Sequence, residues 1–345
     1  MDQARFDAIR LARSPRIGPV TFRQLIGRFG SASEALRALR EVAEEGAIAA
    51  EVEAVARLGG RWLVWGDADY PALLAETEDA PPVLTYRGDL SLAGQSCVAM
   101  VGARNASAAA CRFARALARE LAGEGLVIVS GLARGIDTAA HQGAEARTVA
   151  VIAGGIDSHY PPENAALQEQ IAEAALLIAE QPPGTEPKAR YFPHRNRVIA
   201  GLSRATIVVE AAPKSGSLIT ARLAGEYGRE VLAVPGSPLD PRAQGCNLLI
   251  REGATLIQSA ADVLEALSSL DPRAPQMPLF APETTAVEPA DPGDILALLG
   301  PVPVPLDELI RQSGQPSAAV QMALLELELA GRLERHAGGR VSLIA

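Results

Sequence analysis

The sequence predicts an α/β protein built on a doubly wound, mainly parallel sheet, with a small helical domain before it and a winged helix after it. Seven short apolar runs between residues 96 and 268 alternate with helical patterns. Apolar strands without polar alternation are typical of a parallel sheet covered by helices on both faces. This is a Rossmann-like plan, in which ligands bind beyond the carboxyl ends of the strands. The runs are residues 97–101, 126–129, 149–153, 175–179, 206–209, 231–234 and 255–257.

Residues 1–60 contain short helical patterns, with apolar positions such as Phe6 and Phe22, and Ser33 is expected to cap a helix. The segment Arg16-Ile17-Gly18-Pro19-Val20 predicts a tight turn between two helices, as in SAM-like and helix-hairpin-helix domains. In such domains the turn amides can face a DNA phosphate. A packing role is favoured here, because the second glycine usual in that hairpin is missing.

Five regions are expected along the chain. Residues 61–95 have strand-like ends and are predicted to be a connector that packs on the core. Residues 271–293 are rich in proline and lack periodicity, which is typical of a linker. The last region suggests three helices and a hairpin around Gly338-Gly339, the outline of a winged helix. The regions are a helical domain at 1–60, the connector at 61–95, the Rossmann-like domain at 96–270, the linker at 271–293 and the winged-helix-like domain at 294–345.

The composition limits what the protein can bind. Acidic residues outnumber basic residues by 41 to 32, and the formal net charge is -9. Such a protein repels nucleic acid as a whole, so a nucleic-acid site must be a local concentration of positive charge. There is no apolar signal core and no apolar run of about 18 residues, so we expect a cytoplasmic protein without membrane contact. The three cysteines lack metal-ligand spacing and are predicted to be core residues, namely Cys97, Cys111 and Cys246.

Two loops after predicted strands are suited to a phosphate. Gly102-Ala103-Arg104 precedes a helix that starts near Ser107, where free amides and a guanidinium could face an anion. A generic turn with a surface arginine explains this loop equally well. Ser215-Gly216-Ser217 also precedes a helix and is typical of an anion nest.

A third loop contains Gly131 and Arg134 and leads into a helix with His141. No cysteine or serine nucleophile lies near His141 in the sequence, so we expect it to pack or to hydrogen-bond to a neighbouring loop. Asp157 and His159 lack a third ligand, so they predict no metal site.

The segment 183–204 concentrates positive charge in this acidic protein. Guanidinium groups bind phosphates, and aromatic faces stack on unpaired bases without selecting a sequence. The segment therefore predicts a single-stranded nucleic-acid site, with an internal salt-bridge network as the alternative. Its residues include Gly184, Lys188, Arg190, Tyr191, Phe192, Arg195, Asn196, Arg197 and Arg204.

The chain carries five motifs in order: Gly102-Ala103-Arg104, the loop with Gly131 and Arg134, the basic segment around Phe192, Ser215-Gly216-Ser217 and Val234-Pro235-Gly236. This order resembles that of the DNA-processing family called DprA or Smf. The chain resembles this family over nearly its whole length. The resemblance implies a bacterial homodimer that binds and protects incoming single-stranded DNA and loads the recombinase RecA during natural transformation. Two positions depart from the family pattern: Ala103 stands where serine is common, and Ala243-Gln244 precede Gly245 where a serine is common.

We expect a binding protein without a catalytic set, a metal or a cofactor. The first alternative is a nucleotide-processing enzyme related to the phosphoribohydrolases, although the downstream carboxylate of their PGGxGTxxE pattern is missing. A dehydrogenase is disfavoured because GxGxxG is absent. The winged helix is acidic and apolar where DNA readers are basic, so a protein-contact or regulatory role is expected there rather than base readout. The candidate DNA-binding residues are Arg104, Gly131, Arg134, Gly184, Lys188, Arg190, Phe192, Arg195, Asn196, Arg197, Ser215, Gly216 and Ser217.

Overall fold

The computed structural model describes residues 1–268 and 292–344. The chain divides into two compact units, Met1–Ala274 and Pro275–Ala345. The predicted linker, up to residue 291, lies outside the described residues. No helix in the described ranges is long and apolar enough to cross a membrane.

The first unit begins with four helices around a small apolar core. Ile9, Leu11 and Phe22 are buried at its centre. Ser31, rather than Ser33, caps the third helix by accepting from the Glu34 amide, because the Ser33 hydroxyl is hydrogen-bonded to Asp7. The helices are α1 (Gln3–Arg13), α2 (Pro19–Phe29), α3 (Ala32–Ala38) and α4 (Glu45–Arg57).

A nine-stranded sheet follows in the order β1-β2-β6-β5-β4-β3-β7-β8-β9. Only β2 runs against the others, so the prediction of a Rossmann-like, mainly parallel sheet is confirmed. The strands are β1 (Arg61–Val64), β2 (Val83–Gly88), β3 (Cys97–Gly102), β4 (Val127–Ser130), β5 (Thr148–Gly155), β6 (Leu176–Gln181), β7 (Ala205–Val209), β8 (Glu230–Ala233) and β9 (Thr255–Leu256).

The prediction that residues 61–95 form a connector is wrong, because they contribute β1 and β2 to this sheet. Thr85 pairs with Trp62 on one side and with Ala179 of β6 on the other. Thr85 is fully buried and donates its hydroxyl to the Ala179 carbonyl, so β2 is an internal strand of the sheet. Trp62 meanwhile packs into the core of the first four helices, which joins that domain to the sheet.

Helices cover both faces of the sheet. One apolar core includes Val151 and Val198, and the other includes Met100 and Leu117. Cys97 and Cys246 are buried as predicted, whereas Cys111 is only half-buried. The remaining helices of this unit are α5 (Ala72–Ala75), α6 (Ala108–Gly123), α7 (Ile136–Ala144), α8 (Ala165–Ala174), α9 (Tyr191–Leu202), α10 (Ser217–Glu226), α11 (Gln244–Arg251) and α12 (Ala260–Ser268).

The order of the strands places a crevice at the centre of the sheet. The chain proceeds outward from β3 through β4 and β5 to β6, then returns to β7 on the other side of β3. Loops at the carboxyl ends of β3 and β7 therefore diverge, and this switch point is where open α/β sheets bind ligands.

Over residues 292–344, the second unit is a winged helix with three helices and a three-stranded sheet in the order β10-β12-β11. Ile295, Leu309, Leu324 and Val341 lie in its core. The elements are α13 (Pro292–Ala297), β10 (Val304–Pro305), α14 (Leu306–Ser313), α15 (Ser317–Leu329), β11 (Leu333–His336) and β12 (Arg340–Leu343).

Candidate nucleic-acid interface

Two adjoining cavities open at the switch point, with volumes of about 240 and 780 Å³. The smaller reaches down to Ile152 at the end of β5, and the larger extends to Lys214 after β7. Arg104, Phe192 and Arg195 line both. The sequence therefore brings the first glycine loop and the basic segment to one cleft.

Arg195 is a buried positive charge at the floor of this cleft, with 6% of its surface exposed. Its Nη1 donates to the Val151 carbonyl at 3.2 Å and lies 3.9 Å from the Asp137 carboxylate. Its Nε has no hydrogen-bond partner among the described residues. Burial lowers the pKa of Arg195 to about 10, which leaves it charged at neutral pH. A charge buried with incomplete hydrogen bonding is suited to an anionic ligand.

Asp137 moderates that charge from the first turn of α7. It accepts a hydrogen bond from the Ala133 amide at 3.3 Å. Burial raises the pKa of Asp137, and the nearby Arg195 partly opposes this rise. Because the two groups are 3.9 Å apart rather than in a close ion pair, the guanidinium keeps part of its hydrogen-bonding capacity for the cleft.

Gly131 allows Arg195 to occupy this position. A Cβ atom on residue 131 would lie 1.2 Å from Arg195 Nη1, which no side chain could tolerate. The role of Gly131 is therefore steric, since its missing side chain provides the space for the guanidinium.

Phe192 is at the centre of a cluster that separates the two cavities. Arg104 lies over its ring at 4.7 Å from the centroid, and Arg195 lies at 5.9 Å. Tyr160 meets the ring edge-on, with 5.9 Å between centroids. Arg104 is exposed and makes no ion pair with any described residue, so its charge is available at the cleft opening.

An internal carboxylate lies at the amino terminus of α6, where the sequence suggested that free amides could face a phosphate. The Glu210 carboxylate accepts from the Ser107 amide at 3.0 Å and from its hydroxyl at 2.8 Å, and Arg242 pairs with Glu210 at 3.1 Å. An internal carboxylate thus occupies the place where Rossmann dinucleotide enzymes hold a pyrophosphate. The positive groups that remain open to the cleft are therefore on Arg104 and the loops opposite.

One such loop is Ser215-Gly216-Ser217 before α10, which lines the larger cavity. Gly216 at the N-cap position provides no side-chain cap, and the Ser215 hydroxyl accepts from the Ser217 amide at 3.4 Å. The two serine hydroxyls hydrogen-bond to each other at 2.7 Å. Asn196 donates to the Gly216 carbonyl at 3.4 Å, so α9 fixes the loop. The positive end of the helix dipole faces the cavity.

Other predicted site residues do not line the cleft. Arg197 is buried in an ion pair with Glu180, which realises the internal salt-bridge alternative for this residue. Arg190 is exposed and bonds to the Tyr191 hydroxyl, Lys188 is exposed beside the cleft, and the Gly184 amide donates to Asp157 at 2.9 Å.

Arg134 lines the smaller cavity but is already paired with Glu163. Both side chains are exposed, so this pair is weak in water and Arg134 can exchange it for a phosphate. Arg204, part of the same basic segment, is directed instead to Ser96 and the Leu267 carbonyl.

His141 is buried behind the cleft, and the prediction of a packing and hydrogen-bonding role is confirmed. Its Nε2 accepts from the Leu132 amide at 3.3 Å, and its Nδ1 lies 2.7 Å from the Thr148 hydroxyl. Burial lowers the pKa of His141 to about 3, so the ring is neutral and fixes the 131–135 loop. Among the described residues, no group of three His, Cys, Asp or Glu could hold a metal ion.

Three cleft residues were missed as site residues from the sequence. Tyr160 follows β5 in a loop that the sequence marked only by its glycines and prolines. Lys214 and Arg242 line the larger cavity. Lys214 could have been identified from its position next to Ser215, but Arg242 is 32 positions from Glu210 in the chain and no local pattern connects them.

The fold and the cleft define a class of protein: a Rossmann-like protein with an arginine-lined cleft at its switch point. The chain belongs to the family described as DNA recombination-mediator protein A, whose model matches residues 61–268. Models described as a DprA-like N-terminal HHH domain and a DprA winged helix domain match residues 2–57 and 280–339. The resemblance to the DprA or Smf family is therefore confirmed.

Curated relatives support this membership. The chain is 37% identical to Protein Smf of Synechocystis, covering 81% of this chain and 79% of the relative. It is 48% identical to DNA processing protein DprA of Streptococcus pneumoniae over 57% of this chain and 71% of the relative.

Two solved structures also match. DprA from Streptococcus pneumoniae is 42% identical with a TM-score of 0.61, covering 68% of this chain and 80% of that one. DNA processing protein A from Helicobacter pylori, whose structure is described by its single-stranded DNA binding mode, is 31% identical with a TM-score of 0.56. That match covers 61% of this chain and 96% of the other.

Proposed function

We propose that the switch-point cleft binds single-stranded DNA without sequence preference. The observation that carries this proposal is the cluster of Arg104, Phe192 and Arg195, which places two guanidinium groups against one aromatic ring where two cavities meet. Guanidinium groups bind backbone phosphates, and the aromatic face stacks on an unpaired base of any sequence.

The shape of the cleft supports a single strand over a duplex. The smaller cavity, of about 240 Å³, is lined by Ile152, Ala153 and Tyr160, which offer apolar surface to a base. The larger cavity is lined by Lys214 and the Ser215–Ser217 loop, which offer positive charge and hydroxyl groups to phosphates. A base can enter such a pocket only when it is unpaired.

The same proposal extends to the cellular role that the family resemblance implies. We propose a cytoplasmic protein that protects incoming single-stranded DNA and loads RecA on it in natural transformation or recombination. We further propose a homodimer through the Rossmann-like domain. The edge strand β9 supports a dimer, because its free side can pair with another chain. Leu256 of this strand is 45% exposed.

We propose binding rather than catalysis. Asp137, the one carboxylate among the described residues that line the two cavities, is buried, accepts from the Ala133 amide and lies 3.9 Å from Arg195. The alternative, hydrolysis of nucleotides, is tested by incubating the protein with nucleoside monophosphates and measuring released base, for which we expect none.

The binding proposal is tested with oligo-dT and the Arg104→Ala variant. Loss of one charge-assisted contact costs about 1.5–3 kcal/mol, so we expect affinity to fall about 10- to 100-fold. Arg222→Ala is the matched control, because Arg222 is exposed on α10 and pairs only with Glu226 of its own helix. Equal affinities for wild type and both variants would contradict the site.

A further inference from the structure

The outward face of α6 carries three arginines that the cleft does not use. Arg112, Arg115 and Arg119 are all exposed. Their spacing of three and four residues places them on one side of the helix, along about 10 Å of its length. The opposite side of α6 is buried through Ala114, Leu117, Ala118 and Leu121. We call the three arginines the α6 stripe.

The stripe is unusual because its charges are not neutralised. None of the three makes an ion pair with a residue in the described ranges, although Arg115 donates to Gln142 of α7. Arg222 on α10 and Arg311 on α14 are each paired with a glutamate of their own helix. Arg57 on α4 is exposed and makes no ion pair with a described residue, but it is the only basic residue of its helix and forms no row. In a chain of net charge -9, an unpaired row of three is a local positive surface.

The stripe continues from the cleft. Ser107 caps α6 only three residues after Arg104, and the larger cavity is lined by residues 101–105 of the same loop. The stripe starts in the second turn of the helix. Glu120 follows Arg119, and Glu124 ends the helix, so the positive surface stops at that end.

The cleft is too small for a long strand. Its two cavities, about 240 and 780 Å³, have the volume of a site for a drug-sized ligand. A longer strand must therefore leave the cleft across the protein surface, and its phosphates repel the acidic parts of that surface.

We propose that the α6 stripe is a second contact for the same single strand, which leaves the cleft past Arg104 and lays its phosphates along Arg112, Arg115 and Arg119. This inference rests on the proposed function of the cleft. The contacts are to phosphates alone, so they add affinity and orient the strand along α6, but they add no sequence preference.

The test compares a short oligo-dT of about 6 nucleotides with a long one of about 30 nucleotides. The variant replaces Arg112, Arg115 and Arg119 by glutamine in the full chain. We expect unchanged affinity for the short strand and about tenfold weaker binding of the long strand. The slope of log affinity against log salt for the long strand should fall in magnitude by about 2.

A second triple variant removes the same charge elsewhere. Arg57, Arg61 and Arg222 are exposed residues outside α6, and their replacement by glutamine should leave both affinities unchanged. Three results would overturn the proposed role of the α6 stripe: equal weakening of binding by both triple variants, loss of short-strand binding in the stripe variant, or an unchanged affinity of the stripe variant for the long strand. The last result would leave an acidic protein surface as the partner of the stripe. Failure of the wild type to bind even the short strand would overturn the cleft itself.

Discussion

Two buried arginines of α9, two residues apart, lie on opposite sides of that helix and differ in their surroundings. Arg197 is in a close pair with Glu180, whose backbone carbonyl accepts from Arg13 of α1 at 3.2 Å. Arg13 in turn pairs with Glu51 of α4 at 3.0 Å. Arg195 faces the cleft, where its nearest carboxylate is 3.9 Å away and its Nε lacks a partner among the described residues.

The difference teaches that positive charge in a sequence does not identify a ligand site. Arg197 is in a close ion pair and belongs to the fold, although its Nη1 has no hydrogen-bond partner among the described residues, and it helps to connect the helical domain to β6. Arg195 lines both cavities and its nearest carboxylate is 3.9 Å away, so this guanidinium retains interaction energy for a ligand. We call the group of Arg13, Glu51, Glu180 and Arg197 the seam. Variants of the seam should lower stability, whereas variants of the cleft should lower DNA affinity.

The largest effect is expected at the seam. Arg197→Met leaves the Glu180 carboxylate buried without its partner, which costs about 3–5 kcal/mol of unfolding free energy. Chemical denaturation measures the loss, and oligo-dT affinity of the folded fraction should stay as in wild type. The double variant Glu180→Leu, Arg197→Met removes both charges and should recover most of the stability. A stable single variant with weakened DNA binding would place Arg197 in the site instead.

At the cleft, Gly131→Ala should produce the largest loss of binding. The new Cβ would displace the Arg195 guanidinium, so we expect affinity for oligo-dT to fall about 100-fold, equal to about 2.7 kcal/mol. Gly27→Ala in α2 is the control, because a Cβ there meets nothing within 4 Å. Fluorescence anisotropy measures both, and unchanged binding by Gly131→Ala would refute the proposed position of Arg195.

A smaller effect is expected from pH. The pKa of His141 is lowered from 6.5 to about 3 in the folded protein. The unfolded chain therefore binds a proton first, and stability is lost as pH falls below 6.5, by up to about 1.4 kcal/mol per pH unit. Denaturation between pH 7.5 and pH 5 measures this slope. His141→Gln should flatten it, and an equal slope in that variant would assign the dependence to other groups.

The smallest effect is expected from removing the second unit. Every residue that lines the two cavities lies in the first unit. The exposed face of α15 presents Met322, Leu325 and Leu329, an apolar surface without the basic residues of a DNA reader. Deletion of residues 275–345 should change oligo-dT affinity by less than about twofold, since no phosphate contact is removed. Loss of most binding would move the site to the winged helix.

The sequence predicted the sheet, because runs such as 149–153 and 175–179 are apolar without interruption. It also predicted that the loops with Arg104 and Phe192 converge, because parallel strands bring their carboxyl ends to one edge. It did not predict the burial of Arg197, since charge patterning does not show which arginine meets Glu180 across the sheet. The hydrogen bonds of Ser107 to Glu210 join residues 103 positions apart, and only the folded chain reveals such a contact.

The central claim is that bases of a single strand stack at Phe192. Ultraviolet crosslinking of a photoreactive oligo-dT to the full chain, followed by mass spectrometry of the attached peptides, tests it directly. We predict crosslinks at Phe192 and Tyr160, which line the smaller cavity, and their loss in Gly131→Ala. Crosslinks confined to α15 or to the turn between α1 and α2, with none at the cleft, would contradict the account.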